Sequence, residues 1–344
     1  MQKTDRSPLL LGIDLGTSRT MIMSSRGDKS TVRSVVGYPK DIIGVKLMHH
    51  SYMIGEEALK RQSYLNIHYP LEDGVLKDAN DQATEAARLL IKHAITLMNP
   101  LPGEKIYGVL GVPARASLFN KNQLLKITHE LLDLSMVVSE PFMAAYAIDQ
   151  LNNAIIIDIG GGTTDICAMM GTIPGVNEQV TVLKAGNYID VVLENLIREN
   201  HPHVQMTNNL ARKIKEQHAF VGTPKEEIVV NMRVSGKPVS INLTKEVRTA
   251  CESIVSEIVE HLQALISVFD PEDQEEALKN IYLTGGGSKI RGLEEMIVAM
   301  MQGYGTVQVQ QVPDPDYCGV VGALKLAMEL PPQYWDQVGH VASA

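Results

Sequence analysis

The sequence predicts an α/β protein built around a duplicated domain, and three observations carry that reading. Ile155-Ile156-Ile157-Asp158-Ile159-Gly160-Gly161-Gly162-Thr163-Thr164-Asp165 begins as an unbroken apolar run, the mark of a strand buried on both faces, then turns on three glycines into hydroxyls and an acid. Leu10-Leu11-Gly12-Ile13-Asp14-Leu15-Gly16-Thr17-Ser18-Arg19-Thr20 repeats the plan near the N-terminus. A third glycine run, Thr284-Gly285-Gly286-Gly287-Ser288, joins a short apolar strand to a helix, where backbone can approach a flat base or ribose.

A strand entering a glycine turn exposes backbone N–H groups with no side chain in the way, a surface that cradles phosphate. Asp158, at its strand end, is placed to hold a divalent cation through water. Two copies predict a phosphate chain gripped from two sides. Either copy alone would read as an ordinary glycine hairpin.

Composition narrows the class. A chain of 344 residues accommodates two domains with proper cores. The net charge of -9 argues against a direct nucleic-acid binder or an anionic-membrane binder. Cys167, Cys251 and Cys318 are odd in number and widely spaced, which fits neither a disulfide framework nor a zinc site; they read as reduced thiols of a cytoplasmic protein. No run is long and apolar enough for a membrane span, and the segment from Met1 to Pro8 is too polar for a signal peptide or an amphipathic anchor.

In chain order, residues 9–23 read as strand, hairpin and returning strand, with a further strand over 31–36. Residues 37–74 look irregular, a small inserted subdomain in which His49-His50 is read as a surface pair. A helix is expected over 78–99, where Ala86, Leu89, Leu90, His93 and Leu97 recur at helical spacing and Pro100 ends it. A strand over 105–112, a helix over 117–132 and a short strand over 136–138 lead to Ser139-Glu140-Pro141 and a helix over 142–151. An acid and a proline at a helix start are explained by the helix dipole and first-turn geometry alone. The same carboxylate, at a strand-to-helix junction, could orient a water.

Past the central hairpin, a strand over 181–185 precedes a helix with Ile189, Val192, Leu193, Leu196 and Ile197 on one face. Another helix covers 208–220. Residues 228–234 and 239–243 flank Ser235-Gly236-Lys237-Pro238 as a hairpin. One long helix is expected over 244–269, a strand over 280–283, a helix from Leu293, a strand over 307–312 and a last helix over 316–330, stopped by Pro331-Pro332. His201 and His203 read as helix-end residues. The tail to Ala344 is expected to be loose, with Tyr334 and Trp335 able to dock.

The three glycine signatures, with Glu140-Pro141 between the first two, resemble the actin-like ATPases, the superfamily of actin, DnaK-type chaperones and sugar kinases. Ser139-Glu140-Pro141, the Asp158–Asp165 run and Thr284–Gly287 are similar to the MreB-like bacterial actins, over about Leu9 to Leu330. Ser34–Asp41, Gly111–Ser117, Lys184–Tyr188, Lys215–His218, Phe220–Pro224 and Leu330–Trp335 are similar to the bacterial actins that organise magnetosome chains.

That resemblance implies an actin-like ATPase fold: duplicated ribonuclease-H-like domains forming four subdomains around a nucleotide cleft. The implied parts are IA (9–36, 75–150 and 312–334), IB (37–74), IIA (151–187 and 253–311) and IIB (188–252). The implied cofactors are ATP/ADP and Mg2+, with Asp14 and Asp158 holding the hydrated cation. Gly16, Thr17, Ser18 and Arg19 would face the phosphates from one side and Gly160, Gly161, Gly162, Thr163 and Thr164 from the other. Glu140 would position the attacking water, with Asp165 as a second polar group nearby. Gly285, Gly286, Gly287, Lys289, Lys215 and Glu216 would border the adenosine. One departure stands out: where the family often has Ala-Glu-x-x-Lys for the ribose, this chain has Ala211-Arg212-Lys213-Ile214-Lys215, with the acid at Glu216.

The implied activity is ATP-driven polymerisation with hydrolysis on assembly. The implied partners are further copies of the chain, with magnetosome-associated proteins, and no direct contact with nucleic acid or insertion into membrane. The implied place is a cytoplasmic filament alongside the magnetosome chain. The alternatives are a cell-shape or plasmid-segregating bacterial actin and a small-molecule kinase of the same fold. A chaperone-like ATPase is a weaker alternative, since no substrate-binding domain follows Leu330.

Overall fold

The structure, a computed structural model, describes residues 7–77 and 81–335. The chain divides into two compact units, 1–149 with 317–344 and 150–316, so it passes between them twice.

The first unit opens with β1 (Leu9–Leu15), β2 (Arg19–Ser24) and β3 (Lys29–Arg33). The strand expected over 31–36 is divided. β3 ends at Arg33, and β4 (Val36–Pro39) leaves for another sheet. Ser34 makes the corner: it is fully buried, and its hydroxyl donates to the Gly16 carbonyl at 2.7 Å. The segment expected to be irregular is instead ordered. It holds α1 (Ile42–Met48), β5 (Met53–Ile54), α2 (Glu56–Lys60), β6 (Leu65–His68), β7 (Leu71–Glu72) and β8 (Val75–Leu76). β5, β4 and β6 form a three-stranded sheet over Val35, Met48, Ala58 and Leu65.

α3 (Asp81–Thr96), β9 (Ile106–Val112), α4 (Leu118–His129), β10 (Leu134–Ser139) and α5 (Glu140–Ala147) follow. The helix expected from residue 78 begins outside the described residues for its first three positions. The five-stranded sheet runs β10-β9-β1-β2-β3, with β9 parallel to β1.

The second unit starts with β11 (Asn152–Ile159), β12 (Thr164–Met170) and β13 (Gln179–Val182). α6 (Gly186–Asn200), α7 (Asn208–His218), β14 (Val229–Val234) and β15 (Lys237–Asn242) come next. The expected single helix over 244–269 is two, α8 (Thr244–Glu252) and α9 (Val255–Ile266). At the break the Ser253 hydroxyl donates to the Ala250 carbonyl at 2.6 Å, offering the backbone a local alternative to the helix ladder. α10 (Gln274–Lys279), β16 (Ile281–Thr284), α11 (Leu293–Met300) and β17 (Val309–Gln311) complete the unit. The short α10 had no counterpart in the sequence reading. α12 (Cys318–Glu329) belongs to the first unit.

The second sheet runs β13-β12-β11-β16-β17. Strand for strand this repeats β3-β2-β1-β9-β10: a hairpin, a third antiparallel strand, then two strands parallel to the first. The sequence repeat is therefore a repeat of topology.

Each central strand is buried on both faces for a different reason. On β1, Leu9, Leu11, Ile13 and Leu15 pack with Leu90, Ile91 and Ala94 of α3 and with Leu124 and Ile127 of α4. The alternate residues, Leu10, Gly12 and Asp14, face the other way, as the two-residue period of a strand requires. There α12 lies so close that a Cβ on Gly12 would sit 2.5 Å from the Leu324 backbone nitrogen. On β11, Ile155, Ile157 and Ile159 enter a core shared with Ile189, Leu193 and Ile258. Trp335 docks as the sequence allowed, 4% exposed with its ring 5.3 Å from Tyr107, whereas Tyr334 stays exposed. The tail beyond it lies outside the described residues.

Helix α12 also presses on α5. A Cβ on Gly322 would meet the Met143 carbonyl oxygen at 1.8 Å, so the two backbones touch where no side chain fits. Gly322→Ala is expected to destabilise the protein by about 1–3 kcal/mol, the usual range for overpacking. A thermal melt followed by circular dichroism checks this, and an unshifted melt would contradict the close packing of α5 and α12.

Candidate functional site

The β1–β2 hairpin closes through the Gly16 N–H, which donates to the Arg19 carbonyl at 3.1 Å. A Cβ at Gly16 would stand 2.7 Å from that oxygen, so the turn admits only glycine. Four contacts fix the loop from behind. Ser34 binds the Gly16 carbonyl through its hydroxyl and the Ser18 carbonyl through its N–H, at 2.7 and 3.2 Å. The Ser34 hydroxyl also meets the Thr20 hydroxyl at 3.0 Å. The Gly74 N–H donates to the Thr17 hydroxyl oxygen at 2.7 Å. Gly74 forms the β7–β8 turn with Asp73, both at positive φ, and it lies flush against Pro113. Arg19 is the first residue of β2 and stands in register with Arg33.

Asp14 is the penultimate residue of β1, two residues before Gly16. Its register row crosses the sheet as Asp14, Gly111 of β9 and Val138 of β10, and Glu140 follows Val138 by two residues. Both acids thus stand at the carboxyl edge of the parallel strands, where open α/β sheets bind ligands. A side chain at Gly111 would strike Met143 Cε at 2.2 Å and approach Glu140 Cγ at 3.3 Å, so glycine makes room for them. Glu140 is also the first residue of α5, with Pro141 next, so the capping description and the site description both apply. Asp14 Oδ2 lies 3.4 Å from where a Cβ on Gly319 would be, under the N-terminal turn of α12. Burial pushes the Asp14 carboxyl up to about 7.

The second hairpin has the same closure, Gly160 N–H to the Thr163 carbonyl at 2.8 Å. Here the start of α6 clamps it: the Gly186 and Asn187 N–H groups donate to the Gly160 and Gly161 carbonyls at 3.1 and 2.7 Å. Thr163 and Thr164 are buried, and the Thr164 hydroxyl donates to the Lys184 carbonyl at 2.9 Å. Gly161 and Gly162 complete the turn. Asp158 stands between Asp165 of β12 and Thr284 of β16 in one register row. Asp165 is buried and accepts from the Thr181 hydroxyl at 2.5 Å.

Gly285 follows β16 at φ +75°, and a Cβ there would be 2.3 Å from Asp158 Oδ1. The glycine run therefore brings bare backbone up to that carboxylate. A Cβ on Gly287 would strike Ile159, whereas one on Gly286 meets nothing nearer than 3.7 Å, so Gly286 borders open space. Lys289 pairs with Asp316. Lys215 is not free-standing: its ammonium contacts Asp190 at 2.7 Å and the Gly186 carbonyl at 2.6 Å. Glu216, next along α7, is exposed.

The donor set fits Mg2+. Among the described residues no three His, Cys, Asp or Glu side chains converge to hold an ion alone. Mg2+ habitually takes one or two carboxylates and completes its shell with water and phosphate oxygens. Asp14, desolvated enough to resist ionising, is a carboxylate that a cation would relieve. None of the three cysteines forms a disulfide and all are buried, and burial pushes the thiols of Cys167 and Cys251 up, which makes those two unreactive. Among the described residues no helix is long and apolar enough to cross a membrane.

Sequence reading missed Ser34, Gly74, Gly186 and Asp190. Asp73-Gly74 carried a turn signal, Gly186-Asn187 read as a turn but opens α6, and Ser34 lay in a family-like stretch with no site role; Asp190 carried no signal.

Comparison with known proteins bears on the whole chain. The MreB/Mbl protein family matches residues 9–332. The chain is 50% identical to the actin-like protein MamK of Paramagnetospirillum magneticum (strain AMB-1), over 98% of each chain. A solved structure of the MamK double helical filament matches with a TM-score of 0.92 at 50% identity, covering 94% of this chain and all of that one. A non-polymerising MamK mutant bound to AMPPNP matches with a TM-score of 0.75 at 49% identity, over 94% of this chain and all of that one. The actin-like α/β fold expected from the glycine signatures is the fold of this chain.

Burial of Asp14 makes a pH prediction for the metal- and nucleotide-free protein. The unfolded carboxyl titrates near 3.8 and the folded one near 7, so between them the folded state keeps a proton that the unfolded chain has released. Stability then falls as pH rises through that window. Asp14→Asn removes the penalty, so its melting temperature should gain on wild type from about pH 4 to about pH 7 and level off above. A constant difference across that range would contradict the assignment.

Proposed function

The chain belongs to the MreB/Mbl family, and from that premise we propose that it is a filament-forming actin-like ATPase that organises magnetosomes into a chain. The observation that carries the proposal is the 0.92 TM-score to a MamK double helical filament at 50% identity. The AMPPNP-bound relative supports ATP as the nucleotide, with ADP as product.

The roles follow from the hairpins. The Gly16–Arg19 and Gly160–Thr164 turns offer backbone N–H groups to the phosphates, because their side-chain hydroxyls are partly engaged inside each unit. Asp14 and Asp158 would hold Mg2+, which would neutralise charge developing on the phosphate oxygens. Glu140, on the same sheet edge as Asp14, orients the attacking water and takes its proton. Asp165, in register with Asp158 and holding the Thr181 hydroxyl, is the second polar group near that water. Gly285, Gly286, Gly287 and Lys289 border the nucleoside, with Lys215 and Glu216 on α7. The four-part division into 9–36 with 75–150 and 312–334, 37–74, 151–187 with 253–311, and 188–252 belongs to this reading. The partner is the chain itself in a cytoplasmic polymer, with magnetosome-associated proteins as cargo adaptors. Hydrolysis is slow in the free monomer, and assembly brings Glu140 and water into line.

Pelleting of the purified protein with ATP and Mg2+, with phosphate release followed in the same tube, tests this. Assembly above a critical concentration with release tracking polymer mass is expected; soluble protein that turns over ATP would favour a kinase. Glu140→Ala is expected to assemble with ATP yet release phosphate about a hundredfold more slowly or less. Unchanged release would remove Glu140 from its role.

A further inference from the structure

Asp190 lies one turn into α6 with no exposed side-chain surface. Both of its oxygens face cations from α7: Lys215 Nζ at 2.7 Å from Oδ1 and Arg212 Nε at 3.2 Å from Oδ2. The two cations are three residues apart, which puts them on one helix face. Among the described residues, their other side-chain hydrogen bonds lead to the start of α6. Lys215 donates to the Gly186 carbonyl at 2.6 Å, and Arg212 reaches Asn187 Oδ1 at 3.5 Å. Gly186 and Asn187 are the residues whose N–H groups hold the Gly160 and Gly161 carbonyls. A continuous polar chain therefore runs from α7 through Asp190 to the second glycine hairpin.

The fit around Gly186 is tight. A Cβ there would lie 3.1 Å from the Gly160 carbonyl oxygen and 3.2 Å from Lys215 Nζ, so α6, α7 and the hairpin meet with no slack. Stability alone does not call for this chemistry. A buried ion cluster is often no more stabilising than apolar residues of the same volume, so its return lies in the geometry it fixes. Arg212 also stands where the resembling actins often carry a glutamate for the ribose; here the guanidinium turns inward instead.

We propose that Asp190, with Arg212 and Lys215, is a positioning cluster that holds the α6 N-terminus against Gly160 and Gly161 and so sets the phosphate grip of the second hairpin. The proposal rests on the reading of that hairpin as a phosphate site. Asp190 and Arg212 touch no ligand in this account; they act through the backbone of residues 186 and 187. Neutralising Arg212 leaves one cation on Asp190 and loosens the clamp without emptying it. Neutralising Asp190 leaves two facing cations and releases it.

The test compares binding of Mg2+–AMPPNP with binding of adenosine to the full-length wild type and to Arg212→Gln, Arg212→Lys and Asp190→Asn, by calorimetry. Groups that orient a ligand-holding element are worth about tenfold or more in affinity, so Arg212→Gln should weaken the triphosphate about tenfold and Asp190→Asn further. Adenosine affinity should stay at the wild-type value in Arg212→Gln, which keeps the Lys215–Asp190 pair, and Arg212→Lys, which keeps the charge, should recover most of the triphosphate affinity. A purely structural cluster would move both ligands together, and that result, or triphosphate binding untouched in folded Arg212→Gln, overturns the proposal. If Asp190→Asn does not fold, Arg212→Gln, which retains the Lys215 pair, decides alone. A wild type that binds AMPPNP no better than adenosine overturns the phosphate reading itself.

Discussion

Both units depend on one constraint, the closure of a glycine hairpin at the end of a strand that is buried on both faces. Such a strand cannot carry polar side chains along its length without cost, so its polar chemistry is confined to the point where it leaves the core. In both sheets that point is an aspartate, then one apolar residue, then a glycine whose N–H donates to the carbonyl three residues ahead. Everything else is arranged to hold that exit in place. Gly12 lets α12 lie on β1, Gly285 lets backbone come up to Asp158, and Gly111 leaves space for Glu140.

The exits are braced differently, although the sheets are alike. In the first unit the brace is made of hydroxyls and a turn: Ser34 and Gly74 hold the loop through neutral hydrogen bonds. In the second it is made of a helix start, backed by a buried carboxylate with two cations. Neutral hydrogen bonds are modest and replaceable one at a time, whereas removing a member of a buried charge cluster leaves charge that the remaining partners must compensate. The second hairpin is accordingly the more tightly specified of the two. Burial acts on Asp190 as it does on Asp14, pushing its carboxyl up, but Lys215 and Arg212 pull the other way. At Asp14 burial is the cause of the rise, a penalty that a divalent cation would offset.

Much of the fold was legible because strand and helix periods are local. The all-apolar run of β11, the helical spacing of α3 and α6 and the hairpin of β14 and β15 were read from neighbours in sequence. Where the reading failed, a distant contact had intervened. The strand expected to continue through Val36 turns at Ser34, because that hydroxyl belongs to Gly16. The helix expected through Ile254 breaks at Ser253, where a side-chain hydrogen bond competes with the helix ladder.

The sequence by itself determined the two glycine hairpins, the acids beside them and the Glu140 junction, since glycine turns and strand-end carboxylates are properties of consecutive residues. It also carried the family likeness. Tertiary structure alone decided that Arg212 and Lys215 share Asp190, that Gly74 caps Thr17 and that Asp165 answers to Thr181. Those pairs are brought together by folding from positions 16 to 57 residues apart, and no local period marks a residue whose partner lies on another element.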